Sequence, residues 1–323
     1  MQVVASVLQL VVQHAEVQLR QVARWLQLST AIRRALQQAV GDITVDIAHG
    51  GTVQRMTAIA RWLPGHAGLV STLALRARSE PYLSLSEWGA VEQILAFALQ
   101  ICSGSRAGLN SAHAQDPQPP TLQLRCFVTD FVFQPAVLRT IAAGDHLTHL
   151  TLDALPFGRC TAELYTTLGS LRSLRELCCL RDRSAPKRPQ PFPVEFPAAL
   201  AELTQLTQLT AVGLLPAASL GQLPASLCRM QLDIGDAAAA HASVRVCISH
   251  LTKLHLLDLT VATGLSPQSQ LPGCLTALTL TGAAEALPGL SQLQRLDLPN
   301  AHAALRFCSS QSSSPDCSVL CWV

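Results

Sequence analysis

Apolar and polar positions follow two rhythms along this chain. Up to about residue 40, Val4, Val7, Val11, Ala15, Leu19, Val22 and Leu26 recur every three or four residues, which places them on one face of a helix. Gln, Arg and Glu occupy the other face. Ser29 and Thr30 precede a second periodic run, Ile32-Arg33-Arg34-Ala35-Leu36, and Gly41 ends it, so a cap and a fresh helix are predicted there. From Ile43 the period shortens: Ile43, Val45 and Ile47 alternate with polar residues, as a half-buried strand does. A helix is predicted from Thr52 to Leu63, stopped by Pro64-Gly65, and a strand around Val70, Leu73 and Leu75. Ser86 opens a helix through Trp88, Val91, Ile94, Leu95 and Leu99. Leu122 and Leu124 resume a strand, and Pro135 to Ala143 a helix.

In the second half an apolar phrase, L-x-x-L-x-L, repeats. It reads Leu147-Leu150-Leu152, Leu227-Met230-Leu232, Leu254-Leu257-Leu259, Leu275-Leu278-Leu280 and Leu293-Leu296-Leu298. Two poorer copies lie between, Leu174-Leu177 with Cys179 in the third slot and Leu206-Leu209 with Ala211 there. Successive copies are 18 to 32 residues apart. One such unit cannot bury its own apolar side, and stacking on neighbours can, so the pattern predicts a solenoid. Thr161–Leu171 and Phe196–Leu203 fit returning helices. Residues 103–120, rich in Gly, Ser, Ala, Gln and Pro, fit a flexible loop, and Arg181–Pro193, with four prolines, a loop over the rim. The expected organisation is an N-terminal helical segment (1–41), degenerate repeats (42–146), clear repeats (147–306) and a disordered tail (307–323).

A hydrophobic fraction of 49% with only 4% aromatics implies a core of Leu, Ala and Val. A net charge of +2 gives no electrostatic footprint for nucleic acid. Charged residues, at 14%, fall well below the usual quarter or so, so solubility leans on Gln, Ser, Thr or a partner. The 11 cysteines are odd in number and scattered. Cys178, Cys228 and Cys247 lie in apolar surroundings and read as buried, reduced thiols. The apolar run Val3–Val12 is interrupted by Gln9, lacks a basic flank, and does not read as a signal peptide. No stretch reaches the roughly 18 apolar residues of a membrane span. The expected setting is intracellular, cytoplasmic or nuclear, without membrane contact.

Chemistry is expected to be absent. The chain has no phosphate loop, dinucleotide fingerprint, nucleophile elbow or H-E-x-x-H. His146 and His149 have a spacing that suits a metal on a helix, but a strand sends them to opposite faces. Cys317 and Cys321 have no His partner in the tail. Adjacent Cys178 and Cys179 straddle one strand. Arg181, Arg183, Lys187 and Arg188 form a basic cluster that reads as a solvated loop, or as a dock for an acidic partner. No catalytic, cofactor-binding or metal site is predicted.

The repeated phrase resembles the leucine-rich repeat family, well over 147–306 and loosely over 43–146. The resemblance implies an α/β solenoid: a curved parallel sheet with helices on the convex side and binding on the concave side. One slot departs from the family. Its ninth position usually holds Asn or Cys, whose side chain bonds loop backbone groups; here it holds Leu155, Gly235, Ala262, Ala283 and Ala301. That implies either a less rigid stack or turns satisfied by backbone alone. Val22-Ala23-Arg24-Trp25-Leu26, followed by Ile32–Leu36, is similar to the closing part of an F-box, although the family's opening Leu-Pro-x-Glu is absent. This second resemblance implies that Val22, Trp25 and Leu26 dock the adaptor subunit of an SCF-type ubiquitin ligase. The alternative is an amphipathic cap on the first strand.

Within L-x-x-L-x-L the leucines point inward, and the third, fifth and seventh slots point outward. The outward stripe is His149, Thr151 and Asp153, then Glu176 and Cys178, Gln208 and Thr210, then Arg229, Gln231 and Asp233, then Leu256, Asp258 and Thr260, Ala277, Thr279 and Thr281, and Arg295 and Asp297. All but Cys178, Thr210, Leu256, Ala277 and Thr281 are expected to bind the partner. Five acids face two arginines, so a partner with basic or amide-rich contacts is expected. Two functions remain open: substrate recognition for an SCF-type ligase, or a generic intracellular scaffold or regulator.

Overall fold

The computed structural model describes residues 42–47, 52–77, 85–102, 122–129, 135–155, 162–181, 192, 195–234, 243–261, 264–281 and 290–298. The chain divides into two compact units between Leu147 and Thr148. The expectations for residues 1–41, 103–120 and 307–323 lie outside the described residues, as does most of the proline-rich rim loop.

In the first unit, strands and helices alternate: β1 (Asp42–Ile47), α1 (Thr52–His66), β2 (Thr72–Ala77), α2 (Leu85–Cys102), β3 (Cys126–Thr129) and α3 (Pro135–Ala142). β1, β2 and β3 pair in parallel, with Ile43 beside Leu73 beside Phe127. Such pairs need a crossover, and the helices supply it. Met56, Ile59 and Leu63 of α1 and Val91, Leu95, Ala98 and Leu99 of α2 are buried at helical spacing, the apolar stripe of a helix against a sheet.

Two boundaries differ from those predicted. α1 passes through Pro64 to His66 and continues into a 3-10 turn at Ala67–Leu69. A proline in the last turn removes one hydrogen bond back into the helix, and only two residues of α1 follow it. β3 begins at Cys126 rather than at Leu122. Leu124 holds the first slot of the phrase and Phe127 the second, both buried. Thr129 fills the third slot, so an all-aliphatic template misses this copy.

The second unit stacks β4 (His149–Leu155), α4 (Ala162–Gly169), β5 (Glu176–Arg181), α5 (Glu195–Ala201), β6 (Gln208–Leu215), a 3-10 turn (Ala217–Gln222), β7 (Arg229–Ile234), β8 (Leu256–Val261), β9 (Ala277–Thr281) and β10 (Arg295–Asp297). Each strand pairs in parallel with the next. The second slot runs across the sheet as Leu150, Leu177, Leu209, Met230, Leu257, Leu278 and Leu296, all buried. The third runs as Leu152, Cys179, Ala211, Leu232, Leu259 and Leu280, also buried. This is the α/β solenoid of the leucine-rich repeat type.

Where the third slot is small, at Cys179 and Ala211, the returns carry aromatic rings. Tyr165 meets Phe196 edge-on at 5.7 Å, and Phe192 stacks on Phe196 at 4.3 Å. Later returns are not α-helical among the described residues. Spacing alone does not decide this: Leu150 to Leu177 and Met230 to Leu257 are both 27 residues apart, yet α4 fills the first return and the second is extended. The returns run extended instead, bridging in parallel at Val244–Leu265 and Cys247–Gln270. The Val246 N–H donates to the buried Ser269 Oγ at 3.0 Å, and the Gln270 N–H to the Val246 carbonyl at 2.7 Å.

Of the ninth-slot residues, Leu155 ends β4 and the others lie outside the described residues. At the start of each strand the backbone satisfies itself. The Thr148 carbonyl accepts from Arg175 and Glu176 N–H, that of Arg175 from Thr207 and Gln208, and that of Thr207 from Cys228 and Arg229. The sequence continues through Cys228, His255 and Thr276 to Arg295. Each repeat is thus clipped to the next by two N–H groups on one carbonyl, and the Thr207 and Thr276 hydroxyls donate to the same Arg175 and His255 carbonyls at 3.1 Å.

Candidate functional site

A parallel ladder keeps equal slots side by side, so the outward residues of the second unit form rows. The third-slot row is His149, Glu176, Gln208, Arg229, Leu256, Ala277 and Arg295. The fifth-slot row is Thr151, Cys178, Thr210, Gln231, Asp258, Thr279 and Asp297. The seventh-slot row is shorter, with Asp233, Thr260 and Thr281 in register. It is interrupted at β6, where Val212 and Gly213 bulge and Leu214 pairs with Asp233 instead. Gly213 there has φ 156, backbone that a side chain would strain. Every third- and fifth-slot residue is half-buried or exposed. Asp153 belongs to β4 by its backbone, and its side chain is outside the described residues.

The two ends of this face are internally paired. Thr148 Oγ1 lies 2.7 Å from His149 Nδ1, and His149 Nε2 lies 3.3 Å from Glu176 Oε1. Gln208 Nε2 donates to the same Glu176 oxygen at 2.9 Å. On the far side, Arg295 Nε and Nη2 both reach Asp297 Oδ2, at 2.8 and 2.7 Å. These exposed pairs contribute little to stability, but they occupy the side chains they join.

Between the paired ends lies a depression of about 280 Å³ across β6 to β9. Its polar lining is Gln208, Thr210, Arg229, Gln231, Asp258 and Thr279. Leu256 and Ala277 add apolar surface, and Leu209, Met230 and Leu257 lie beneath. Leu256 is 37% exposed, unusual for a leucine in a strand of this sheet. The side chains of Arg229, Gln231, Asp258 and Thr279 make no hydrogen bond or ion pair among the described residues. Burial pushes the Asp258 carboxyl above its usual 3.8, because a half-covered carboxylate loses water without gaining a donor.

Five of the thirteen sequence-predicted face residues therefore converge on one hollow: Gln208, Arg229, Gln231, Asp258 and Thr279. His149 and Glu176, and separately Arg295 and Asp297, stand apart as pairs. Val22, Trp25 and Leu26 lie outside the described residues. Of the basic cluster, only Arg181, the last residue of β5, is described. His146 is exposed ahead of β4, and among the described residues no three His, Cys, Asp or Glu gather where a metal could be held.

The cysteine assignment needs correction. Cys178, Cys228 and Cys247 are half-buried, whereas Cys102 and Cys179 are buried. Cys178 occupies an outward slot, Cys228 precedes β7, and Cys247 belongs to the extended return, so apolar sequence neighbours do not bury them. Burial raises the Cys102 thiol to about 11. The seven described cysteines are thiols rather than disulfide partners.

Sequence reasoning missed the ladder on the returns, although Val244, Val246 and Ile248 alternate with polar residues and carried the signal. It also missed the 3-10-like turns that lead into the strands. Leu171, Leu203 and Leu251 are buried three residues before the first slot, and the Leu174, Leu206 and Leu254 N–H groups bond back to their carbonyls.

No family model matches this sequence, and no curated protein does. Among solved structures, the chain is similar to the leucine-rich repeat-containing protein LegL7 from Legionella pneumophila, at 14% identity and a TM-score of 0.36, over 79% of this chain and 81% of that one. Among the described residues no helix is long and apolar enough to cross a membrane.

Proposed function

We propose that this chain is a non-enzymatic protein-interaction module whose partner docks on the outward sheet face of the second unit. The observation that carries this reading is the hollow over β6 to β9. It gathers unpaired polar side chains around an exposed leucine on a rigid backbone ladder, and polar groups placed on an ordered scaffold fit recognition. A photo-crosslinking amino acid at position 231 tests it, with position 268 on the return as control. Docking predicts that a defined protein is crosslinked from 231 and not from 268, and that it is lost when Thr210 and Thr279 are both changed to Arg. Equal crosslinking from both positions would remove the face from consideration.

A finer version rests on the F-box resemblance of Val22, Trp25 and Leu26. It makes the chain a substrate-recognition subunit, with the SCF adaptor on residues 1–41 and the target on the sheet face. The full chain should then retain the adaptor in a pull-down, and Trp25→Ala with Leu26→Ala should abolish retention. Absence of adaptor binding would leave a scaffold or regulator with no ligase link.

A further inference from the structure

We infer that the hollow over β6 to β9 is an anchor for one arginine side chain of a partner protein, with Asp258 as its counter-charge; this deepens the docking reading above and rests on it. The hollow holds about 280 Å³. That suits one long side chain, and it is too small for a helix, which is about 10–12 Å across.

The Asp258 carboxyl sits in the hollow without a hydrogen bond or ion pair among the described residues. On either side in register stand Gln231 of β7 and Thr279 of β9. Neighbouring strands are about 4.8 Å apart, so three oxygen-bearing side chains lie in a line. A guanidinium is planar and carries five N–H donors in a fixed fork, which such a line can satisfy together. An ammonium offers its donors from a single point and leaves the outer acceptors unmet.

Leu256 lies two residues before Asp258 on the same face and is 37% exposed. It offers apolar surface to a methylene stem, as long cationic side chains prefer. Arg229 is the register partner of Leu256, and its charge repels a second cation at that end. The incoming head group is thereby directed to the Asp258 end. Arg229 is left to meet a carbonyl or carboxylate of the same partner segment.

The test pans a displayed random-peptide library against the full chain and against Asp258→Asn, which keeps the shape and removes the charge. In parallel, backbone amide shifts are followed on adding N-acetyl-arginine amide, N-acetyl-lysine amide or N-acetyl-norleucine amide. The inference expects face-dependent peptides enriched in arginine over lysine, and about tenfold or more weaker binding to Asp258→Asn, as loss of a charge-assisted hydrogen bond implies. It also expects the arginine amide to shift Gln231, Asp258 and Thr279 more than either comparator does. Peptides that need the face but lack arginine and ignore Asp258→Asn would overturn the anchor and leave the docking reading standing. Peptides indifferent to the face would overturn both. A dimer in sedimentation that Asp258→Asn dissociates would overturn the inference too, by making a second copy of this chain the occupant.

Discussion

At the residue scale, the carboxyl of Asp258 is the least settled group on the described sheet face. Its affinity for a proton is higher in the folded chain than in the unfolded one because burial disfavours the charge. Below the ordinary value of 3.8 both states hold the proton and nothing is lost. As pH rises through and beyond that range, the folded state bears a cost that the unfolded state does not. Asp258→Asn removes the cost, so at about pH 7 this variant should melt above the parent, with the gap closing at about pH 3. A melting series across that range checks both halves. A gap that widens toward acid would mean that Asp258 gains a donor in the folded chain. The shift is modest, because the group is only partly covered and water still screens it. The same incomplete pairing makes it available to a partner.

At the element scale, each strand does two jobs with alternate residues. Inward, the second slot packs into a continuous row, and Leu257 is buried near its middle. Outward, Thr260 three residues later is exposed. Leu257→Ala should cost about 2–5 kcal/mol in denaturant unfolding, while Thr260→Ala should stay within about 0.5 kcal/mol. The extended returns make a sharper prediction. Ser269 is buried and accepts the Val246 N–H at 3.0 Å. Ser269→Ala strands that donor and should cost about 1–3 kcal/mol, far more than removing one hydroxyl from a helical return. A negligible loss would show that water reaches the return ladder.

On the scale of the whole molecule, each unit is a run of nearest-neighbour pairings, so stability is distributed along it rather than concentrated in one centre. Interior repeats are held on two sides. β6, β7 and β8 each have strand partners on both sides over four to six register positions, whereas β10 pairs with β9 over three. Native-state hydrogen exchange should therefore find the slowest amides in β7 and β8 and markedly faster ones in β10. Uniform protection across the second unit would mean that its repeats unfold as one block. A protein used as a docking surface benefits from the graded case, because the hollow lies over its most strongly held strands.

The sequence by itself determined the repeat. Leucines at fixed spacing can be buried only by stacking, so the parallel strands, their register and the outward slots were legible from Leu147, Leu150 and Leu152 onward. It also determined α1 to α5 closely, since their apolar spacing is local. It did not determine where helices give way to extended returns: at the same spacing of 27 residues, the return between β4 and β5 carries α4 while the one between β7 and β8 runs extended and bridges the next return. Nor did it determine which outward residues act together. Glu176 and Gln208 are 32 positions apart, and so is the choice that pairs them while Asp258 and Arg229 stay unpaired. Only tertiary structure sets those neighbours, because the rows run across strands and not along the chain.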